Sequence, residues 1–130
     1  MNAKQLLMLG LSMAASPLIG HAFAQQTKPQ YLQVAEIDID PAQLESYKAA
    51  AKEQIETAIR VEPGVLVLYS VTRRDDPAHI TVFEIYRDTD ACKAHLQTEH
   101  FKKYKTATEP MVKSLKLIPV QPIVLGAKPM

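Results

Sequence analysis

The residues best suited to chemistry lie in one stretch, His79 to Tyr104, HITVFEIYRDTDACKAHLQTEHFKKY. It carries the carboxylate Glu84, the imidazoles His95 and His100, and the phenols Tyr86 and Tyr104. Together such groups can take a proton from a weakly acidic substrate and hold the anion that results. A neutral imidazole suits the first task, because its ordinary pKa lies near working pH. His95 is the first candidate for the base, with Glu84 to orient or charge-stabilise it. His100 is a donor to the substrate oxygen, the base instead, or a structural cap of the helix it begins. Tyr69, Tyr86, Phe101 and Tyr104 are candidate substrate contacts, although a tyrosine here is equally an ordinary core or interface residue. Glu84 and His95 can also simply satisfy one another in a small polar core, and the sequence leaves both readings open. His79, beside a turn, is expected to be exposed.

No metal site is expected. The gap of five between His95 and His100 differs from the i, i+4 pair of helical zinc motifs, and no third strong ligand follows at short range. Cys92 is the only cysteine, which excludes an intramolecular disulfide and a cysteine-based zinc site. It reads as a small core residue. The four glycines form no phosphate-binding loop, nucleophile elbow or dinucleotide fingerprint.

The elements that must position these groups follow from the pattern. Tyr31 to Ile39 alternates as a first strand. Asp40-Pro41 with Gln43 has the form of an N-cap, a proline at the first helical position and a capping-box partner. Leu44, Tyr47, Ala51, Ile55 and Ile59 then mark one buried stripe of a helix running to about Val61. Glu62-Pro63-Gly64 ends that helix and turns the chain. Val65 to Arg73 is nearly all apolar, as in a strand buried on both faces. After the Arg74 to Pro77 turn, His79 to Tyr86 alternates as its hairpin partner, with Ile80, Val82, Glu84 and Tyr86 on one face.

Asp88 or Asp90 caps a helix with Ala91, Cys92, His95 and Leu96 on one side. Phe101, Tyr104, Thr108, Val112 and Leu115 continue a second stripe that Pro110 should kink or divide. Leu117 to Leu125 is the expected final strand, whose prolines suit an edge. The order β-α-β-β-α-β predicts an α+β, ferredoxin-like antiparallel sheet with its helices on one face.

Residues 1–24 read as a secretory signal peptide: Lys4, an apolar run from Leu6 to Gly20, and the small-x-small site Ala22-Phe23-Ala24. Residues 25–130 are then one domain of a periplasmic protein, with no membrane anchor after cleavage. Without Lys4, fourteen basic residues balance fourteen acidic ones. A neutral surface argues against nucleic acid, which calls for a basic stripe. A domain of this size without disulfides has a thin core, and pairing one sheet face with a second copy would relieve it.

EPGVLVLY (62–69), VFEIYRD (82–88) and AHLQTEHFKKYK (94–105), in this order, resemble the antibiotic biosynthesis monooxygenase family, of the quinol monooxygenase type. The resemblance spans Tyr31 to about Val124. It implies a ferredoxin-like subunit that pairs through its sheets into a dimeric α+β barrel, with a pocket between sheet and helices. It further implies oxygenation of a quinol or similar small phenol by dioxygen, without metal, flavin or other cofactor. Haem-degrading relatives use a strand tryptophan and a helix histidine as iron ligand. This chain has no tryptophan, and the position aligned with that histidine falls near Lys105. A reading of another class remains beside this one: a non-catalytic dimeric module that binds a small hydrophobic ligand.

Overall fold

Asp40 and Pro41 separate the first strand, β1 (Tyr31–Ile39), from the first long helix, and they do it locally. The Asp40 carboxylate accepts from the Ala42 amide at 3.0 Å, and Pro41 opens a 3-10 turn, Pro41–Gln43. The computed structural model describes residues 28–130; the expected signal peptide and its cleavage site lie outside the described residues. Helix α1 (Leu44–Val61) follows, then β2 (Val65–Thr72), β3 (His79–Tyr86), α2 (Thr89–Leu96), α3 (Glu99–Thr108), a 3-10 turn at Glu109–Met111, and β4 (Val112–Val120). The sheet order is β2-β3-β1-β4, antiparallel throughout, as expected for the ferredoxin-like α+β fold. Among the described residues no helix is long and apolar enough to cross a membrane.

Register decides which side chains share a face. Gln33, Ala35 and Ile37 pair with Glu84, Val82 and Ile80, and Leu68 and Ser70 flank Glu84 and Val82 from β2. These point towards the helices. Val34, Glu36 and Asp38 pair with Phe83, Thr81 and His79 on the opposite, outer face. On α1 the residues buried against the sheet are Tyr47, Ala51, Gln54 and Ala58. The alanines let the helix approach closely. Two apolar clusters result. One gathers Ala35, Ile37, Ile39, Tyr47, Ala51 and Ile80, and the other gathers Ala58, Val65, Leu68, Tyr86, Ala91 and Cys92.

Several boundaries differ from expectation. The final strand runs Val112–Val120, not 117–125, because the Glu109–Met111 turn containing Pro110 ends the helix outright. Val112 and Leu115 are therefore strand residues and do not extend a helical stripe. Strand β2 is not buried on both faces: it is a sheet edge, with Leu66, Tyr69 and Val71 exposed. Ile59 is exposed, and Ala58 takes the buried position. No capping box forms, since the Gln43 side-chain oxygen is buried without a partner among the described residues.

Candidate active site

A cavity of about 320 Å³ lies between the inner sheet face and the helices, within the usual range for small-molecule sites. Small side chains create it: Ala35, Ala51 and Ser70 stand where larger ones would fill the space. Glu84 and Tyr86 form part of its floor, Tyr47 and Gln54 reach it from α1, and His95, Phe101 and Tyr104 close its side.

Glu84 is held from the sheet. Its Oε1 accepts from Gln33 Nε2 at 3.1 Å and from the Tyr86 hydroxyl at 2.5 Å, while Tyr31 donates to Gln33 at 3.1 Å. Burial first, and then the Glu84 charge, push the Tyr86 phenol well above its ordinary range. Tyr86 thus stays protonated and donates. Tyr47 and Tyr104 bond through their hydroxyls at 2.7 Å, and burial raises both phenols as well. The Gln54 side-chain oxygen is buried with no partner among the described residues, which leaves an acceptor for a bound molecule.

His95 does not pair with Glu84. Its Nδ1 lies 2.8 Å from Glu62 Oε2, and its ring is 2 % exposed. A carboxylate only accepts, so Nδ1 carries a proton, and in the neutral ring Nε2 then keeps a lone pair. Nε2 has no hydrogen-bond partner among the described residues, and His95 lines the cavity. The ring is fixed from other sides by Phe101, with centroids 4.9 Å apart, and by Tyr86 at 5.7 Å. Glu62 is the residue that sequence reasoning missed.

Local structure explains how Glu62 and His95 meet. Glu62 is the extended C-cap of α1, after which Pro63 stops the helix. Gly64 then passes so close to α2 that a Cβ there would sit 2.6 Å from the Ala91 Cβ. Its carbonyl accepts from the Arg87 amide at 2.8 Å, fastening the turn to the end of β3. Asp88 caps α2 by accepting from the Ala91 amide at 2.8 Å. At the other end Thr98 donates to the His95 carbonyl at 2.7 Å and caps α3 by accepting from the Phe101 amide.

Thr98, not His100, is therefore the cap of α3. His100 Nε2 lies 2.6 Å from the same Glu62 oxygen, behind His95 and outside the cavity lining. Of the candidate substrate contacts, Tyr86, Phe101 and Tyr104 line the cavity, whereas Tyr69 stands on the outer face, 51 % exposed. His79 is not exposed as expected. It is half-buried on that outer face between Asp38 and Glu36.

The family description of antibiotic biosynthesis monooxygenases matches residues 30–107. A crystal structure of a candidate member from Bacteroides thetaiotaomicron is 48% identical, covers 78% of this chain and 96% of its own, and superposes with a TM-score of 0.74. A candidate monooxygenase from Lactobacillus acidophilus is 27% identical over 72% of this chain and 44% of its own, with a TM-score of 0.69. A third structure, from Nitrosomonas europaea, is 21% identical over 72% of this chain and 99% of its own; at TM-score 0.69 it supports the fold alone. No curated protein matches the chain.

Proposed function

The chain belongs to the antibiotic biosynthesis monooxygenase family, and from that premise we propose that it oxidises a quinol or related small phenol with dioxygen, without a cofactor. One observation carries this reading: His95 lines the cavity, is committed to Glu62 through Nδ1, and leaves Nε2 without a hydrogen-bond partner among the described residues. That is the geometry of a positioned base with its orienting carboxylate.

In this reading His95 Nε2 takes a phenolic proton, and the resulting phenolate supplies the electrons that dioxygen requires. One oxygen atom bonds to a ring carbon, the O–O bond breaks, and the second oxygen leaves as water. For a hydroquinone the balance is hydroquinone plus dioxygen to hydroxyquinone plus water. Gln54 offers an acceptor to a second hydroxyl, and the apolar walls exclude bulk water from the anion. Oxygen uptake by metal-stripped protein over a hydroquinone panel, with mass spectrometry of the product, tests the proposal. Incorporation of one atom of labelled dioxygen is expected. Tight hydroquinone binding without oxygen uptake would replace the reading with a ligand-binding module.

Two further parts of the proposal concern assembly and place. Exposed Tyr69 and Val71 on the outer sheet face support pairing with a second copy, and light scattering should report a dimer. A stable monomer would contradict it. Export to the periplasm with cleavage before Gln25 predicts a mature chain lacking Met1 to Ala24, which mass spectrometry of periplasmic material would check.

A further inference from the structure

Glu62, His95 and His100 arrive from three separate elements, the C-cap of α1, helix α2 and helix α3, and their donor atoms converge. Glu62 Oε2, His95 Nδ1 and His100 Nε2 lie within 4.8 Å of one another. The Glu62, His95 and His100 side chains are 13 %, 2 % and 17 % exposed, so the group is largely withdrawn from water, with Glu62 and His100 at its accessible edge. Both imidazoles crowd the same carboxylate oxygen, at 2.8 and 2.6 Å, and Glu62 Oε1 has no partner among the described residues. Two imidazoles and one carboxylate with open positions form a donor set suited to borderline divalent transition metals. Tetrahedral ligand bonds of about 2.0–2.2 Å set ligand atoms about 3.4 Å apart, so Oε2 would draw back from both nitrogens by roughly 0.6–0.8 Å to admit the ion. The sequence spacing concealed this set, because its carboxylate is Glu62 and not a residue near the histidines.

We propose that this triad is a zinc-class metal site lying behind the base, and that occupancy switches the base off. Coordination takes the lone pair of His95 Nδ1, so the ring proton moves to Nε2. The nitrogen that faces the cavity then donates and can no longer accept. His100 undergoes the corresponding shift, with its proton moving from Nε2 to Nδ1. No proton is lost from either ring. The inhibitory consequence rests on the reading of His95 as the base; the binding itself does not.

Zinc alone, titrated into the metal-stripped full chain, tests the site by calorimetry and by imidazole nitrogen NMR of the unsubstituted protein. One ion per chain is expected, with the His95 Nδ1 and His100 Nε2 resonances moving and those of His79 unchanged. His100→Ala and Glu62→Gln should each weaken binding at least tenfold, while His79→Ala should not alter it. Absence of zinc-dependent shifts at His95 and His100 would overturn the site without recourse to any variant. So would binding that His100→Ala leaves unaltered. Oxygen uptake should fall as the site fills; uptake that persists at full occupancy would overturn the switch. Zinc bound at these resonances in a protein that never consumes oxygen would support the site and count against the monooxygenation proposal alone.

Discussion

Two histidine–carboxylate clusters occupy opposite faces of the same sheet, and they differ in stoichiometry. On the outer face one imidazole, His79, lies between two carboxylates, with Nδ1 2.7 Å from Asp38 and Nε2 2.6 Å from Glu36. Thr81 and Ser114 add hydrogen bonds to Glu36 and Asp38. Under the helices the ratio is inverted, since Glu62 alone serves His95 and His100. The difference separates a strut from a reagent. His79 has both nitrogens engaged and nothing left to offer another molecule. His95 is engaged at one nitrogen and keeps the other for the cavity.

The sharpest way to break this contrast is to truncate each histidine. His95→Ala should lower oxygen uptake by about a hundredfold or more, the usual scale for losing a positioned base. His79→Ala should leave turnover per folded molecule unchanged, because its ring faces the other side of the sheet. Equal losses in both variants would erase the distinction. Within the inner cluster, Glu62→Gln should cost less than His95→Ala, and Glu84→Gln less again. Glu84 contacts Gln33 and Tyr86, not the imidazole.

The positioning of the inner cluster can be stressed through packing. Gly64→Ala places a Cβ 2.6 Å from Ala91, so α2 must shift or the chain must strain. A loss of about 1–3 kcal/mol is expected by denaturant titration, with turnover falling as His95 moves from Glu62. Tyr47→Phe leaves the Tyr104 hydroxyl without its 2.7 Å partner and should cost about 1 kcal/mol.

The outer cluster predicts the smallest effect, and a pH-dependent one. Asp38, then Glu36, raise the His79 pKa above 6.5, so its contribution is full below that value and is lost as pH climbs through the raised one. Thr81, then His79, lower Glu36, and His79, then Ser114, lower Asp38. Their contributions are full above 4.5 and 3.8 and are lost as pH falls through the lowered values. The difference in Tm between the wild type and His79→Gln should therefore be largest between pH 4.5 and 6.5 and shrink at alkaline pH. A difference that grows with pH would contradict the assignment.

Which parts of this were legible in the sequence follows from the range of the interactions. The element order was, because alternation in β1 and β3 and the Asp40-Pro41 stop are local signals. The start of β4 was not. Val112 and Leu115 fall at spacings that continue a helical stripe, and only the turn at Glu109–Met111 removes them from it. Glu62 reads as punctuation beside Pro63 and Gly64, since its partners lie 33 and 38 residues away. Glu84 looked like the partner of His95 through nearness along the chain, whereas the strand register assigns it to Gln33. The expectation that His79 is exposed failed for the same reason. Its carboxylates are cross-strand neighbours, 41 and 43 residues away.

The most direct measurement is the proton position on each imidazole, read by nitrogen NMR of metal-free protein at neutral pH. Protonation at Nδ1 with Nε2 bare is predicted for His95, and protons on both nitrogens for His79. A proton found on Nε2 of His95 would remove the base from the cavity and contradict the account.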